Sequence, residues 1–119
     1  MNVEITVEAL AAQLAARSAS AAPTQTSTSP AFLLLDVREP WEISICALPG
    51  CMHIPMGELP DRLQQEMHPD QHIIVICHHG VRSLHVTHWM REQGFPHTQS
   101  LAGGIDAWSA RIDPSVPTY

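Results

Sequence analysis

The sequence predicts an α/β protein with a mostly parallel central sheet and helices on both faces. Two short, continuous apolar runs carry that reading. Phe32-Leu33-Leu34-Leu35 ends at Asp36, and His72-Ile73-Ile74-Val75-Ile76 ends at Cys77; runs of this kind mark strands buried on both faces. Between them Leu59, Leu63 and Met67 repeat every four residues, so strand, helix and strand alternate as a parallel sheet requires.

The remaining elements follow in chain order. Thr6 is a candidate N-cap for a first helix whose apolar face is Val7, Leu10, Ala11 and Leu14. Residues 18–30 are Ser, Ala, Thr, Gln and Pro without hydrophobic period, which predicts a flexible surface connection. His68-Pro69 ends the helix of Leu59 and Leu63. After Cys77 a turn containing Gly80 opens a helix with Val86, Trp89 and Met90 on one face and Gly94 at its C-terminal end. A weak strand near Thr98 to Leu101 and a short helix carrying Ile105 and Trp108 complete the alternation. With 119 residues, the chain is read as a single domain over 1–119.

Composition narrows the class of partner. The chain is 45% hydrophobic and 15% charged with a formal net charge of −6, an ordinary globular composition rather than a disordered one. No run of Lys or Arg offers to neutralise phosphates, so no nucleic-acid partner is expected. No stretch approaches the roughly 20 apolar residues of a membrane span, so no membrane partner is expected either. Glu4 and Glu8 precede any apolar run, which argues against a secretory signal and places the protein in the cytoplasm. Three cysteines without regular spacing do not make a disulfide framework; in a reducing compartment one of them is a candidate for catalysis.

Cys77 is that candidate. Ligands of open parallel sheets bind beyond the carboxyl ends of strands, and Cys77 ends the most hydrophobic strand of the sequence. Cys77-His78-His79-Gly80-Val81-Arg82-Ser83 then turns into a helix, so backbone amides and the positive end of a helix dipole should face the sulfur. The thiolate is the nucleophile, and an exposed helix end contributes only about 0.3–1 kcal/mol to an anion. Direct amide hydrogen bonds must supply more, and Gly80 lets the loop curl tightly enough to make them. A cysteine at a strand end can also be a small buried hydrophobe; the polar, glycine-containing loop that follows favours chemistry.

Four motifs in order resemble the rhodanese superfamily. The loop Cys77, Gly80, Arg82, Ser83 resembles the family's active-site loop. Leu34-Leu35-Asp36-Val37-Arg38-Glu39 resembles its first signature, Leu48-Pro49-Gly50 with Ile54-Pro55 its second, and Leu101-Ala102-Gly103-Gly104-Ile105-Asp106-Ala107-Trp108 its C-terminal motif. The resemblance implies a rhodanese-like three-layer α/β/α fold. It also implies a sulfurtransferase in which Cys77 accepts sulfane sulfur from a donor such as thiosulfate as a persulfide and passes it to a thiophilic acceptor. The candidate substrate-binding residues are His78, His79, Gly80, Val81, Arg82 and Ser83. His78 stands where the family often has Arg, which removes a fixed cation beside the donor and predicts poorer use of thiosulfate. Cys46-Ala47 and Cys51 also depart from the family's pattern, away from the nucleophile. Related cysteine phosphatases and arsenate reductases place five residues between Cys and Arg; here Cys77 and Arg82 are separated by four, which suits a sulfur atom better than a tetrahedral oxyanion.

Other residues keep two readings. Asp36 and Arg38 either help order the Cys77 loop or form a charge pair bracketing the sheet edge. Arg82 either binds the donor anion or pairs with an acidic neighbour. His85 and His88 lie one helical turn apart but lack partner ligands, so no metal is assigned, and no cofactor is expected. Trp89 and Trp108 follow core spacing, while Trp41 lines the cleft or starts a short helix. Cys46 and Cys51 are read as packing residues. Two functions follow: small-molecule sulfur transfer, or a persulfide carrier or docking module for a protein sulfur acceptor, as in sulfur-cofactor assembly or tRNA thiolation.

Overall fold

The computed structural model describes residues 2–19 and 32–119. Five parallel strands form one sheet in the order β1-β5-β4-β2-β3. They are β1 (Glu4–Ile5), β2 (Phe32–Asp36), β3 (Met52–His53), β4 (His72–Ile76) and β5 (Thr98–Leu101), with helices α1 (Val7–Ala19), α2 (Pro40–Ile45), α3 (Leu59–Glu66), α4 (Val81–Glu92) and α5 (Gly104–Arg111). The two apolar runs are β2 and β4, paired in register from Phe32↔His72 to Asp36↔Ile76. Their side chains alternate between two separate cores, as the strand period requires. Leu34, Ile74 and Ile76 pack with Leu10, Ile105 and Trp108 on one face. Leu35, Ile73 and Val75 pack with Leu63, Val86 and Met90 on the other.

Local signals act as expected. Thr6 Oγ1 accepts the Ala9 N–H at 3.1 Å and caps α1. Gly94 takes φ +97° after α4, and the Phe95 N–H reaches the Met90 carbonyl at 3.0 Å, closing the helix in the manner of a Schellman turn. Helix α1 continues through Ala19, so residues 18 and 19 belong to it; the rest of the connection expected at 18–30 lies outside the described residues. Two strands of two residues each, β1 and β3, are too short to leave a hydrophobic pattern. Trp108 is buried as expected, whereas Trp89 is half-buried. Trp89 lines an open apolar groove of about 250 Å³ with Met56, Leu59, Pro60, His85 and Val86. His85 and His88 are both exposed. Trp41 belongs to the short helix α2 and is 61% exposed.

Candidate active site

Register puts the site together. Asp36 pairs with Ile76, so the chain leaves β2 at Val37 and β4 at Cys77 side by side, and the Val37 N–H donates to the Ile76 carbonyl at 3.1 Å. Cys77 is 1% exposed. Its sulfur accepts the Gly80 N–H at 3.0 Å and the Ser83 N–H at 3.3 Å, and lies 3.3 Å from Ser83 Oγ. The amides come from the curled loop and the first turn of α4, where unsatisfied donors and the helix dipole favour an anion. Ser83 Oγ is in turn 2.7 Å from Ser100 Oγ on β5. Val75 pairs with Ser100, so Ser100 faces the same side of the sheet as Val75 and Cys77. A chain of two hydroxyls therefore ends on the sulfur and can donate toward it when it is negative.

Glycines let the loop fold this way. Gly80 caps α4 at φ +96°. Behind the loop, Gly104 takes φ +62°, and a Cβ there would lie 2.5 Å from the Cys77 carbonyl oxygen. That close approach lets the Ile105 N–H donate to the Cys77 carbonyl at 2.9 Å and the Asp106 N–H to the His78 carbonyl at 3.0 Å. The orphan amides of α5 thus hold the loop's backbone.

The charged candidates are paired. Arg82 makes a two-point bond to Glu42 of α2, Nη1 to Oε1 at 2.7 Å and Nη2 to Oε2 at 2.8 Å, so the acidic partner comes from another helix. Those bonds pull the Glu42 carboxyl down to about 2 against the opposing effect of its burial. Asp36 and Arg38 are both fully buried and bonded to each other at 2.8 Å. They lie on and just beyond β2, which has neighbours on both sides, so the pair is interior rather than bracketing a sheet edge. Arg38 also donates to the Cys46 carbonyl at 2.7 Å and to Tyr119 Oη at 3.0 Å. The Tyr119 hydroxyl donates to Glu42 at 2.6 Å. Among the described residues, Tyr119 links Arg38 to the Cys77 loop, since its ring stacks on His78 at 3.8 Å and 7°.

His78 is sandwiched, with His79 stacked on its other side at 3.8 Å and 20°. Burial, and then the neighbouring His79, hold the His78 imidazole below its ordinary value, and its buried Nε2 has no hydrogen-bond partner. The His78 ring is thus harder to protonate than a free imidazole. His78, His79 and Asp106 offer ligand atoms within 4.8 Å of one another. A metal must lie near the plane of each imidazole that binds it, and two nearly parallel stacked rings cannot point in-plane lone pairs at one ion. Val81 is 65% exposed at the start of α4.

Sequence reasoning did not find Glu42, Ser100 or Tyr119. Glu42 alone carried a local hint, since it closes a capping box with Glu39 at the start of α2. Of the other thiols, Cys46 is buried and Cys51 is half-buried; burial, reinforced by the Asp36 charge, pushes the Cys51 thiol up to about 12. That keeps it protonated and unreactive.

Comparison with known proteins agrees with the geometry. The rhodanese-like domain model matches residues 11–111. A rhodanese-like/PpiC domain-containing chloroplastic protein of Arabidopsis thaliana is 41% identical over 90 residues, 72% of this chain and 30% of that protein. A sulfurtransferase of Allochromatium vinosum is 34% identical over 84 residues, 71% of this chain and 78% of that protein. The chain thus spans under a third of the first relative's length and most of the second's. The rhodanese-like domain of an Anabaena protein superposes with a TM-score of 0.77 at 25% identity, over 97% of this chain and 83% of that one. A parallel sheet that delivers a buried cysteine into a curled amide loop, together with a family match covering most of the sequence, places this chain in the rhodanese-like family.

Proposed function

We propose that the chain is a sulfurtransferase that moves sulfane sulfur through a persulfide on Cys77, from a donor of which thiosulfate is the simplest example to a thiophilic acceptor. The observation that carries this reading is the pair of backbone amides, Gly80 and Ser83, hydrogen-bonded to a single buried sulfur. Cys77 attacks the donor's outer sulfur, and the donor's S–S bond breaks with its electron pair on the leaving group. The resulting persulfide is anionic near neutral pH and is held by the same amides and by Ser83. Exclusion of water keeps its outer sulfur for transfer. Free thiols of this kind persist in the cytoplasm, where we place the protein.

Intact-mass spectrometry with peptide mapping, after treatment with a sulfane-sulfur donor, tests the reading. One sulfur atom should be gained on Cys77; sulfur found on Cys46 or Cys51 instead rejects it.

A carrier role toward a protein acceptor is the second reading. It is favoured by the apolar side chains of Trp41 and Val81, 61% and 65% exposed, each of which immediately precedes a residue of the Glu42–Arg82 pair at the site. Fast transfer to a protein thiol with slow transfer to cyanide would select it.

A further inference from the structure

The charges around Cys77 restrict what can bring sulfur in. Arg82 is the guanidinium of the loop itself, and both of its terminal nitrogens are occupied by Glu42. Glu42 is 3% exposed, and the Glu39 N–H at 3.1 Å and the Tyr119 hydroxyl at 2.6 Å hold it on two further sides. It therefore cannot swing away to release Arg82 without breaking several part-buried hydrogen bonds. Arg38 is matched by Asp36 through Nε and Nη2, with Nη1 on the Tyr119 hydroxyl. Burial makes His78 harder to protonate, and Asp106 adds a carboxylate 3.9 Å from His79. Apart from the loop amides and the Ser83 hydroxyl on the sulfur, the two arginines near the loop are already paired with carboxylates, in an overall acidic protein of net charge −6.

We propose that this site takes its sulfur from a persulfide, whose reacting end carries at most one charge, in preference to the thiosulfate dianion, and that Glu42 sets the preference by neutralising Arg82. The proposal rests on the reading that Cys77 accepts sulfur.

Both donors balance chemically. With a persulfide RSSH, the Cys77 thiolate bonds to the outer sulfur, the donor's S–S bond breaks and RS⁻ leaves, so the reacting set carries one negative charge, or two if the persulfide is ionised. With thiosulfate, the same bond forms, sulfite leaves as a dianion, and the set carries three. The amides can offset one anion on sulfur; the extra charge of thiosulfate requires an unpaired cation. Glu42 touches no substrate in this scheme and acts only through Arg82, as a positioning residue.

The test compares loading rates of the full chain, followed by intact mass, with thiosulfate and with 2-hydroxyethyl persulfide, whose sulfane sulfur is its only ionising group, across an ionic-strength series. For the natural protein the persulfide should load faster, and thiosulfate loading should rise with salt as screening relieves repulsion from the acidic surface. Glu42→Gln should raise thiosulfate loading about tenfold and make it fall with salt, while persulfide loading changes less than about threefold. A merely structural role for Glu42 would slow both donors together and leave their ratio unchanged, which overturns the proposal. If Glu42→Gln fails to fold by circular dichroism, the natural protein still decides: thiosulfate loading that is faster than persulfide loading, or that slows with salt, overturns it. Those outcomes leave the sulfur-transfer reading standing, whereas no loading of Cys77 from either donor removes both.

Discussion

Cys77 Sγ takes hydrogen bonds from Gly80 and Ser83 while its residue is 1% exposed. Cys77→Ser keeps nearly the same shape and can keep the hydroxyl contact to Ser83, so the protein should stay folded within about 1–2 kcal/mol in chemical denaturation. Loading and turnover should both vanish by mass spectrometry. Cys46→Ala and Cys51→Ala should retain sulfur transfer, because Cys51 is held protonated and Cys46 packs in the core beside Arg38. A doubly substituted protein that loads but cannot release sulfur would contradict this. Glu42 gives a pH signature. Its carboxyl is lowered in the fold from 4.5 to about 2, so its stabilising effect is complete above pH 4.5 and is lost as pH falls toward 2. The stability difference between the natural protein and Glu42→Gln should therefore shrink over that window in acid titrations. Cys77 was legible in the sequence because strand, glycine and helix signals are local. Glu42 as the partner of Arg82 was not, because 40 residues separate them.

The loop is shaped between two elements, β4 before it and α4 after it, and α5 fastens it from behind. The fastening depends on Gly104, where a Cβ would meet backbone rather than a side chain that could move. Gly104→Ala should therefore cost at least about 2 kcal/mol and slow Cys77 loading, measured by denaturation and by mass. The same substitution at Gly57, where a Cβ would meet nothing within 4 Å, should do neither. Helices α1, α3, α4 and α5 were readable because their apolar residues recur with helical period and their ends carry a cap, proline or glycine. β1 and β3 were not, since two residues cannot display alternation and their pairing comes wholly from neighbouring strands.

Across the molecule, Tyr119 joins three distant parts: Arg38 after β2, Glu42 on α2, and His78 in the loop. Its hydroxyl contacts two charged groups, and burial together with the bond to Glu42 pushes its own pKa up to about 12. Tyr119→Phe should lower stability by about 1.5 kcal/mol, since hydrogen bonds to charged groups exceed neutral ones. Tyr119→Ala should cost more and leave His78 exposed on one ring face, visible as a shift of its imidazole titration by NMR toward the ordinary histidine value. Sequence alone was enough for the α/β class, the order of the main strands and helices, and the placement of Cys77 at a strand end before a glycine-containing loop, because continuous apolar runs, helical period and glycine are properties of neighbouring residues. The pairing of Arg82 with Glu42, the interior placement of Asp36 and Arg38, the hydroxyl chain from Ser100 and the stack of Tyr119 on His78 were decided only in three dimensions. Each joins residues on separate elements, and such partners are selected by sheet register and helix packing, for which no local pattern in the chain provides a signal.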